Sequence, residues 1–337
     1  MAGTSFSGSD LPALVANAGY EVASDAYSRA PALYPQFAEV VSPADLSHPW
    51  KGDKRTTAHG GAKPVERHPS QEPASSKLHD GYTPQGRFRH FSRQLEVADV
   101  DVKAALANPA NLTRGPIGEF IESFTTQSVL ERDKYVAKVL VQGCLTAGDK
   151  YYFDGSFDGN PDPNIGFIYD GLPLFDTAHP TKHGPSGTVY ANHVASATLG
   201  SATLQTAIKA INTTNAVDEF GEPIIQFSEL VMVPGALAFD IEVLLETAGK
   251  PGSANNDTNV LRGKVRPLVN PFLDALDADG WFVFASRRDL RVIDSGMPVF
   301  DTFYDQRRKT WVVNGEYLFG AYAKNWRGMH ANNIAAS

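Results

Sequence analysis

The chain has 337 residues, a formal net charge of −8 at pH 7, 42% hydrophobic residues and 20% charged residues. That length suffices for two domains or for one domain with large excursions, and the composition is typical of a folded protein. We expect no membrane-spanning helix, since no window approaches about 18 uncharged apolar residues. The first residues, MAGTSFSGSDLPALV, lack the basic region of a signal peptide. A single cysteine, Cys144, excludes an internal disulfide framework and is compatible with a reducing compartment.

Charge is unevenly distributed along the chain. Residues 51–93 contain nine Lys or Arg and four Asp or Glu, a local charge of +5, so the remainder carries −13. We interpret this as a basic segment attached to an acidic body, in contact with that body or with a neighbouring copy. An acidic chain without a basic face on its fold is a poor general DNA binder.

The first 50 residues are predicted to form a short helix and then an extended arm. Ser9 or Asp10 can cap the helix, Pro12 suits its first turn, and we expect the helix to end after Gly19. The following stretch, ALYPQFAEVVSPADLSHPW, is apolar and interrupted by prolines. Since such a segment has little core of its own, its apolar residues should be buried against another part of the chain or another subunit.

A long loop follows the arm. Residues 51–86 are rich in Pro, Gly, Ser, His and charge and contain almost no large aliphatic side chains. The next stretch, GRFRHFSRQLEVADVDV, alternates as a strand does, with apolar residues at Phe88, Phe91 and Leu95. We therefore predict that residues 51–97 form a protruding, hairpin-like loop with a return strand.

The longest predicted helix spans residues 116–148. Pro116 suits a first helical turn, and apolar residues recur with a 3.6-residue period from Ile117 to Cys144. Gly148, followed by Asp149, is the predicted stop. A helix of this length exceeds what a compact globule needs, so we interpret it as the spine of an extended molecule.

The rest of the chain is predicted to alternate helices and strands and to end in a hairpin. The predicted elements are a helix from Ser201, a buried strand at Glu229–Val233, a helix from Pro234 stopped by Gly249, strands within 260–269, 281–286 and 290–295, and a hairpin that turns around Asp305–Lys309.

Three stretches have residue types used in chemistry, and each is better explained as structure. The loop Asp154–Gly159 matches the start of an EF-hand calcium loop, but the loop lacks the bidentate Glu at its twelfth position. Asp176, His179 and His183 are separated by prolines and glycines that prevent the helix an i, i+4 ligand pair needs. Cys144 lies on the apolar stripe, which favours a buried, inert thiol. The common acyl-transfer and nucleotide-binding motifs are absent from the sequence.

The order of these parts resembles a Hong Kong 97-type tailed-phage major capsid protein. Several stretches are also similar to one branch of that class, the Mu-like major head subunit family. These stretches are LYPQFAEVVS, YDGLPLFDTAHP, SELVMVPGALAFDIEVLLETA, RGKVRPLVNPFLDALDADGWFVFAS and FGAYAKNWRG. They occur in the family's order, and the resemblance covers most of the chain except 51–86.

The resemblance implies an α+β fold with named regions. These are an N-terminal arm (1–50), an extended E-loop (51–97), a peripheral domain (98–190) with the spine helix 116–148, an axial α/β domain (191–299) and a return β-hairpin of the peripheral domain (300–337). The resemblance implies a structural protein and no enzyme, with no catalytic, cofactor or metal site.

The resemblance also implies many copies that form pentamers and hexamers. These would close into an icosahedral shell that encloses double-stranded DNA without sequence-specific binding. The protein would belong to the virion after assembly in the bacterial host cytoplasm. A separate scaffold protein and a portal would be its further partners, and a decoration protein is a further candidate.

The basic loop and the apolar arm provide candidate contacts between subunits. The candidate residues are Phe37 and Trp50 in the arm and Arg87, Phe88, Arg89 and Arg93 on the return strand. The arginines would reach acidic surface on the adjacent copy, because a closed shell needs heterologous contacts. The alternative is that they are only the solvated face of a strand.

Some relatives of this fold join a lysine of the E-loop to an asparagine of a neighbour by an isopeptide bond. Lys63, Lys77, Asn314 and Asn325 are residues of the required types. We see no Glu placed to assist the reaction, so we do not expect the cross-link.

Other functions stay open at this point. An encapsulin-type nanocompartment shell shares the fold and encloses an enzyme instead of DNA. An α/β metabolic enzyme could use the Glu229–Gly249 unit as part of its core, and would need convergent polar residues in a pocket. A phage tail or decoration protein would assemble as trimers or tubes.

Overall fold

The chain is described here by a computed structural model. The residues it describes are 11–45, 53–54, 58–60, 72, 78–80, 85–86, 88–106, 115–144, 168, 170–249, 257–286 and 288–334. The helices are α1 (Leu11–Arg29), α2 (Asp99–Leu106), α3 (Pro116–Gln142), α4 (Ser201–Lys209) and α5 (Ala238–Glu246). The strands are β1 (Glu39–Val41), β2 (Asp53–Lys54), β3 (Ala58–Gly60), β4 (Leu78–Asp80), β5 (Gln85–Gly86), β6 (Arg89–Ala98), β7 (His179–Pro180), β8 (Val189–Tyr190), β9 (His193–Val194), β10 (Ser228–Val233), β11 (Arg266–Val269), β12 (Trp281–Ala285), β13 (Leu290–Asp294), β14 (Val299–Asp305), β15 (Thr310–Ala323) and β16 (Met329–Asn332).

The spine helix α3 begins at Pro116 as predicted, and its 27 residues span about 40 Å. The predicted end was wrong, because the helix stops at Gln142. The Gly143 carbonyl accepts a hydrogen bond from the Phe175 backbone N–H at 2.8 Å, which turns it away from the helical ladder. A Cβ at position 143 would lie 3.1 Å from Cβ of Leu174, so glycine permits this close approach. The predicted stop at Gly148 lies outside the described residues.

The N-terminal helix α1 extends ten residues beyond its predicted end and runs to Arg29. Gly19 lies inside the helix and is buried, as are Ala23 and Ala26. These three positions recur at helical spacing, so they form a narrow stripe of small residues along which α1 packs against α3 and β14. Glycine is used here for close packing and does not end the helix.

The first sheet has the strand order β1–β13–β15–β14, with β6 on the other side of β15. The long strand β15 pairs antiparallel with β14, β13 and β6. The hairpin β14–β15 turns after Asp305, which confirms the predicted C-terminal hairpin. Phe120 and Phe124 of α3 pack their rings against Phe300 of β14, so the spine helix covers one face of this sheet.

The second sheet has the order β11–β10–β12–β16–β9. One face packs against α4 and α5 through a buried cluster that includes Leu204, Ile241 and Trp281. The other face carries Phe282 and Phe284 into a larger core that also contains the C-terminal half of α3 and residues of the first sheet. Because this core is shared, the two sheets pack as one continuous body.

The two sheets exchange strands across the predicted boundary at residue 299. Strand β13 lies in the predicted axial region, yet it pairs with β15 and β1 in the first sheet. Strand β16 lies in the predicted return hairpin, yet it pairs with β12 and β9 in the second sheet. A division of the chain at residue 299 therefore does not separate the two sheets.

Candidate assembly surface

The described parts of the 51–88 segment pair with one another. Strand β2 pairs antiparallel with β5, and β3 pairs antiparallel with β4. These strands therefore form two antiparallel pairs, a ribbon in agreement with the predicted hairpin-like loop where the segment is described. At its base, Gly86 lies against the ring of Tyr322, where an added Cβ would approach within 2.2 Å. Only glycine fits at this contact, which fixes where the ribbon leaves the first sheet.

The predicted interface arginines lie at the return strand of this ribbon. Arg89 is half-buried and Arg93 is exposed, and both lie on the face of β6 that also carries Phe91. Arg93 stands opposite Gly315 of β15 and forms no ion pair with another described residue. Its guanidinium is therefore available to a second copy, while Arg87 lies outside the described residues.

The predicted aromatic contacts belong to the chain's own core. Phe37 is 1% exposed, and its ring centroid lies 5.7 Å from that of Phe284. Phe88 is also buried, in a cluster with Ile293 and Tyr322. Both rings are therefore packed in this subunit's own core. Trp50 lies outside the described residues.

A buried charge network in α3 holds the arm on its own subunit. The Asp133 carboxylate accepts hydrogen bonds from the backbone N–H groups of Leu33 at 3.0 Å and Tyr34 at 2.8 Å. The adjacent Arg132 donates to the Gly296 carbonyl at 2.5 Å and lies 3.3 Å from the Asp294 carboxylate.

The Tyr34 hydroxyl joins this network by donating a hydrogen bond to Asp294. Burial and the Asp294 charge raise the pKa of Tyr34, so its hydroxyl stays protonated as a donor. Burial also raises the pKa of Asp133, against the opposing effect of its two N–H donors. The network thus joins the arm, the spine helix and the turn after β13.

Sequence reasoning missed this network, although a signal exists. Arg132 and Asp133 precede Val136 by four and three residues, so they fall on the apolar stripe of α3. When two adjacent residues of opposite charge occupy positions on the buried face of a helix, they indicate a buried network in which the charges are paired.

Two further arginines, Arg288 and Arg291, bind the arm to the same subunit. Arg288 donates to the backbone carbonyls of Phe37 at 2.7 Å and Gln36 at 2.8 Å. Arg291 forms two contacts with the Glu39 carboxylate, at 2.7 and 3.1 Å, next to the parallel pairing of β1 with β13. The arm between residues 33 and 41 is thus buried against its own subunit, one of the two predicted outcomes.

The residues with chemical potential in the sequence have structural roles where they are described. His179 is buried, with Nδ1 2.7 Å from the Asp170 carboxylate and its ring stacked on Trp326. His183 lies elsewhere, with its ring stacked on Phe220. Cys144 is buried as predicted, and burial raises the pKa of its thiol. Among the described residues no group of three His, Cys, Asp or Glu could hold a metal ion.

A groove of 590 Å³ lies at the base of β6. Its apolar lining includes Pro43, Phe88 and Leu318. Its polar side chains include His90 and Glu316, whose ring nitrogen and carboxylate lie 3.1 Å apart. This apolar groove differs from the convergent polar pocket that the enzyme hypothesis predicts. No helix within the described ranges is long and apolar enough to cross a membrane.

Comparison with known proteins gives a match in structure and none in sequence. No protein-family model matches the chain, and no curated protein matches it. A chain of the capsid of Ralstonia phage GP4 matches with a TM-score of 0.50 and 9% identity, over 90% of this chain and 91% of that chain. Mycobacterium phage Patience matches with a TM-score of 0.48 and 11% identity, over 97% and 89%. The procapsid of bacteriophage JBD30 matches with a TM-score of 0.46 and 15% identity, over 97% and 75%.

The match to the Ralstonia phage GP4 capsid concerns the fold. It extends over nine-tenths of both chains. The α+β, Hong Kong 97-type capsid fold predicted from the sequence is thereby confirmed.

Proposed function

We propose that this chain is the major capsid protein of a tailed bacteriophage and that it belongs to the Mu-like branch. The observation that carries the proposal is the backbone fold shared with a phage capsid chain over nine-tenths of both chains. The five family-like stretches of the sequence support the Mu-like assignment. In this role the chain is a structural protein without catalytic activity.

The geometry of the described residues suits a shell subunit. The arm is held on its own subunit by Asp133, Arg288 and Arg291, so the spine helix and both sheets form one body. The paired strands β2 with β5 and β3 with β4 form a ribbon that we assign to contact with another copy. A subunit with a rigid body and a reaching ribbon makes heterologous contacts, which generate rings.

We assign the ribbon to the E-loop and the arginines at its base to contact with the adjacent copy. Arg93 supports this assignment because it is exposed and has no ion pair among the described residues. The rest of the chain outside residues 51–93 carries −13, which supplies acidic surface for these arginines.

The assembled form follows from these contacts. Pentamers and hexamers would close into an icosahedral shell around double-stranded DNA, which the acidic body would not grip tightly. Assembly would take place in the host cytoplasm with a separate scaffold protein and a portal. A decoration protein on the finished virion is a further candidate partner.

Particles from infected cells test this function. We expect particles that contain this chain and nuclease-resistant double-stranded DNA. A chain with Arg87, Arg89 and Arg93 changed to Glu should fold but lower the particle yield at least about tenfold, because like charges repel across the contact. The matched control changes the three arginines to Lys and keeps the charge. Particles that hold a protein cargo instead of DNA would identify a nanocompartment, and unchanged yield from the Glu variant would remove the arginine assignment.

A further inference from the structure

Helix α5 presents an apolar ridge to solvent. Phe239 is 81% exposed and Val243, one turn later, is 48% exposed. The opposite face of the helix is buried in the second sheet's core through Ile241, Leu244 and Leu245. A phenylalanine this exposed on an ordered helix indicates a surface that is covered in the working assembly.

Carboxylates flank this ridge on both sides. At 100° per residue, Glu242 and Glu246 lie on one side of Phe239 and Val243, and Asp240 lies on the other. All three are exposed, and none forms an ion pair with another described residue. We call these five residues the acidic ridge. Its partner should be apolar at the centre and basic at the rim.

A basic turn with that character lies at the far end of the same helix. The Asn259 side-chain amide donates to the carbonyls of Leu244 at 2.8 Å and Thr247 at 3.0 Å, and the Gly263 N–H donates to the Leu245 carbonyl at 3.2 Å. These bonds satisfy the free carbonyls at the C-terminus of α5. The turn is therefore held rigidly against the helix.

This turn carries exposed groups that complement the ridge. Val260 is 61% exposed, and Arg262 and Lys264 beside it are exposed. Neither cation forms an ion pair within the described ranges. We call Val260, Arg262 and Lys264 the basic turn. The sequence had predicted a strand here, but β11 begins only at Arg266 because residues 259–263 cap the helix.

The acidic ridge and the basic turn are complementary but occupy different places on one rigid domain. The turn caps the helix that carries the ridge, yet within one copy no ion pair among the described residues joins a ridge carboxylate to Arg262 or Lys264. The turn is held against the C-terminal end of α5, and its exposed cations are available to the ridge of another copy. A contact between two different patches of identical subunits is heterologous and generates a ring.

We propose that the acidic ridge of one copy binds the basic turn of the next copy within a ring of subunits. This inference rests on the proposed function and names the surfaces that join neighbouring second-sheet domains. Val260 packs on Phe239 and Val243 at the centre of the contact. Arg262 and Lys264 pair with the flanking carboxylates.

Charge exchange tests the contact. Glu242→Lys with Glu246→Lys should lower the yield of rings and shells at least about tenfold, as should Arg262→Glu with Lys264→Glu. All four changes in one chain should restore the yield to within about threefold of the parent. Lys209→Glu, an exposed change on α4 of the same domain, is the control and should assemble as the parent does. The contact would be refuted if the fourfold variant folds but its yield stays low. It would also be refuted if either double variant assembles as the parent does.

A cross-link separates this contact from the proposed function. Val243→Cys in one chain and Val260→Cys in another should form a mixed disulfide when the two chains assemble together under oxidising conditions. Cys144 is buried and does not compete. Shells without the mixed disulfide would refute the contact and leave the capsid function intact. A parent chain that forms neither rings nor shells would refute the capsid function, and this contact with it.

Discussion

His330 is a buried base on β16 whose protonation affects the stability of the subunit. Burial, and after it the neighbouring His193, lower its pKa to about 4, against the opposing effect of a hydrogen bond with Asn332. His193 itself donates from Nε2 to the Ile334 carbonyl at 2.8 Å. The neutral ring of His330 is therefore the form that the folded subunit accommodates.

We expect His330 to make the subunit acid-sensitive. Its pKa is about 4 when folded and about 6.5 when unfolded. The free energy of unfolding is therefore unaffected by His330 above pH 6.5, and it falls as the pH drops toward 4 because the unfolded chain binds the proton more tightly. Between pH 7.5 and 4.5 the parent should lose about 2–3 kcal/mol more unfolding free energy than the His330→Gln variant. Urea unfolding of unassembled subunits at both pH values measures this difference. Equal losses in the two proteins would contradict the prediction.

At the scale of elements, the spine helix holds the arm through a single carboxylate. Asp133 accepts both N–H groups that begin the turn at Tyr34–Gln36. Removing it leaves two donors in a buried site without their partner. The cost of such donors is the full desolvation penalty of each group, which exceeds the gain from making the bond.

Asp133→Ala should therefore lower the free energy of unfolding by about 2–4 kcal/mol. Glu131→Ala is the matched control on the same turn of α3, because Glu131 forms only an exposed pair with Lys134 at 2.6 Å. We expect the control to change stability by less than about 0.5 kcal/mol. Denaturant unfolding of the two variants beside the parent measures both effects, and equal stabilities would show that the arm is held by other contacts.

The elements that were predicted well are those specified by local pattern. The 3.6-residue stripe located α3 from Pro116, and the turn after Asp305 located the C-terminal hairpin. Both helix ends were misjudged because tertiary contacts decide them. The Phe175 N–H takes the carbonyl that would continue α3, and close packing at Gly19 keeps α1 helical.

The position of the arm could not be derived from pattern. Arg288 and Phe37 are separated by about 250 residues, and no local periodicity connects such distant groups. The sequence showed correctly that the apolar arm must be buried, and left open whether its own subunit or a neighbour buries it. Phe37 of the arm is buried in its own subunit's core.

At the scale of the whole molecule, the fold was predictable because the order of parts is itself a signal. An arm, a long loop, a spine helix, alternating α and β elements and a closing hairpin together indicate one architecture, although each part alone is common. The exchange of β13 and β16 between the sheets was not predictable, since strand pairing over that range is set by the shared core. The acidic ridge on α5 was likewise hidden, because its exposure depends on which face the sheet covers.

The central claim is that this chain assembles into a shell, and negative-stain electron microscopy of the purified protein tests it most directly. Sedimentation velocity on the same sample gives the mass of the species in solution. We expect hollow particles tens of nanometres across, or free pentamers and hexamers, since heterologous contacts close into rings. A stable species of one to four copies that forms no shell, even with its scaffold protein supplied, would contradict the account.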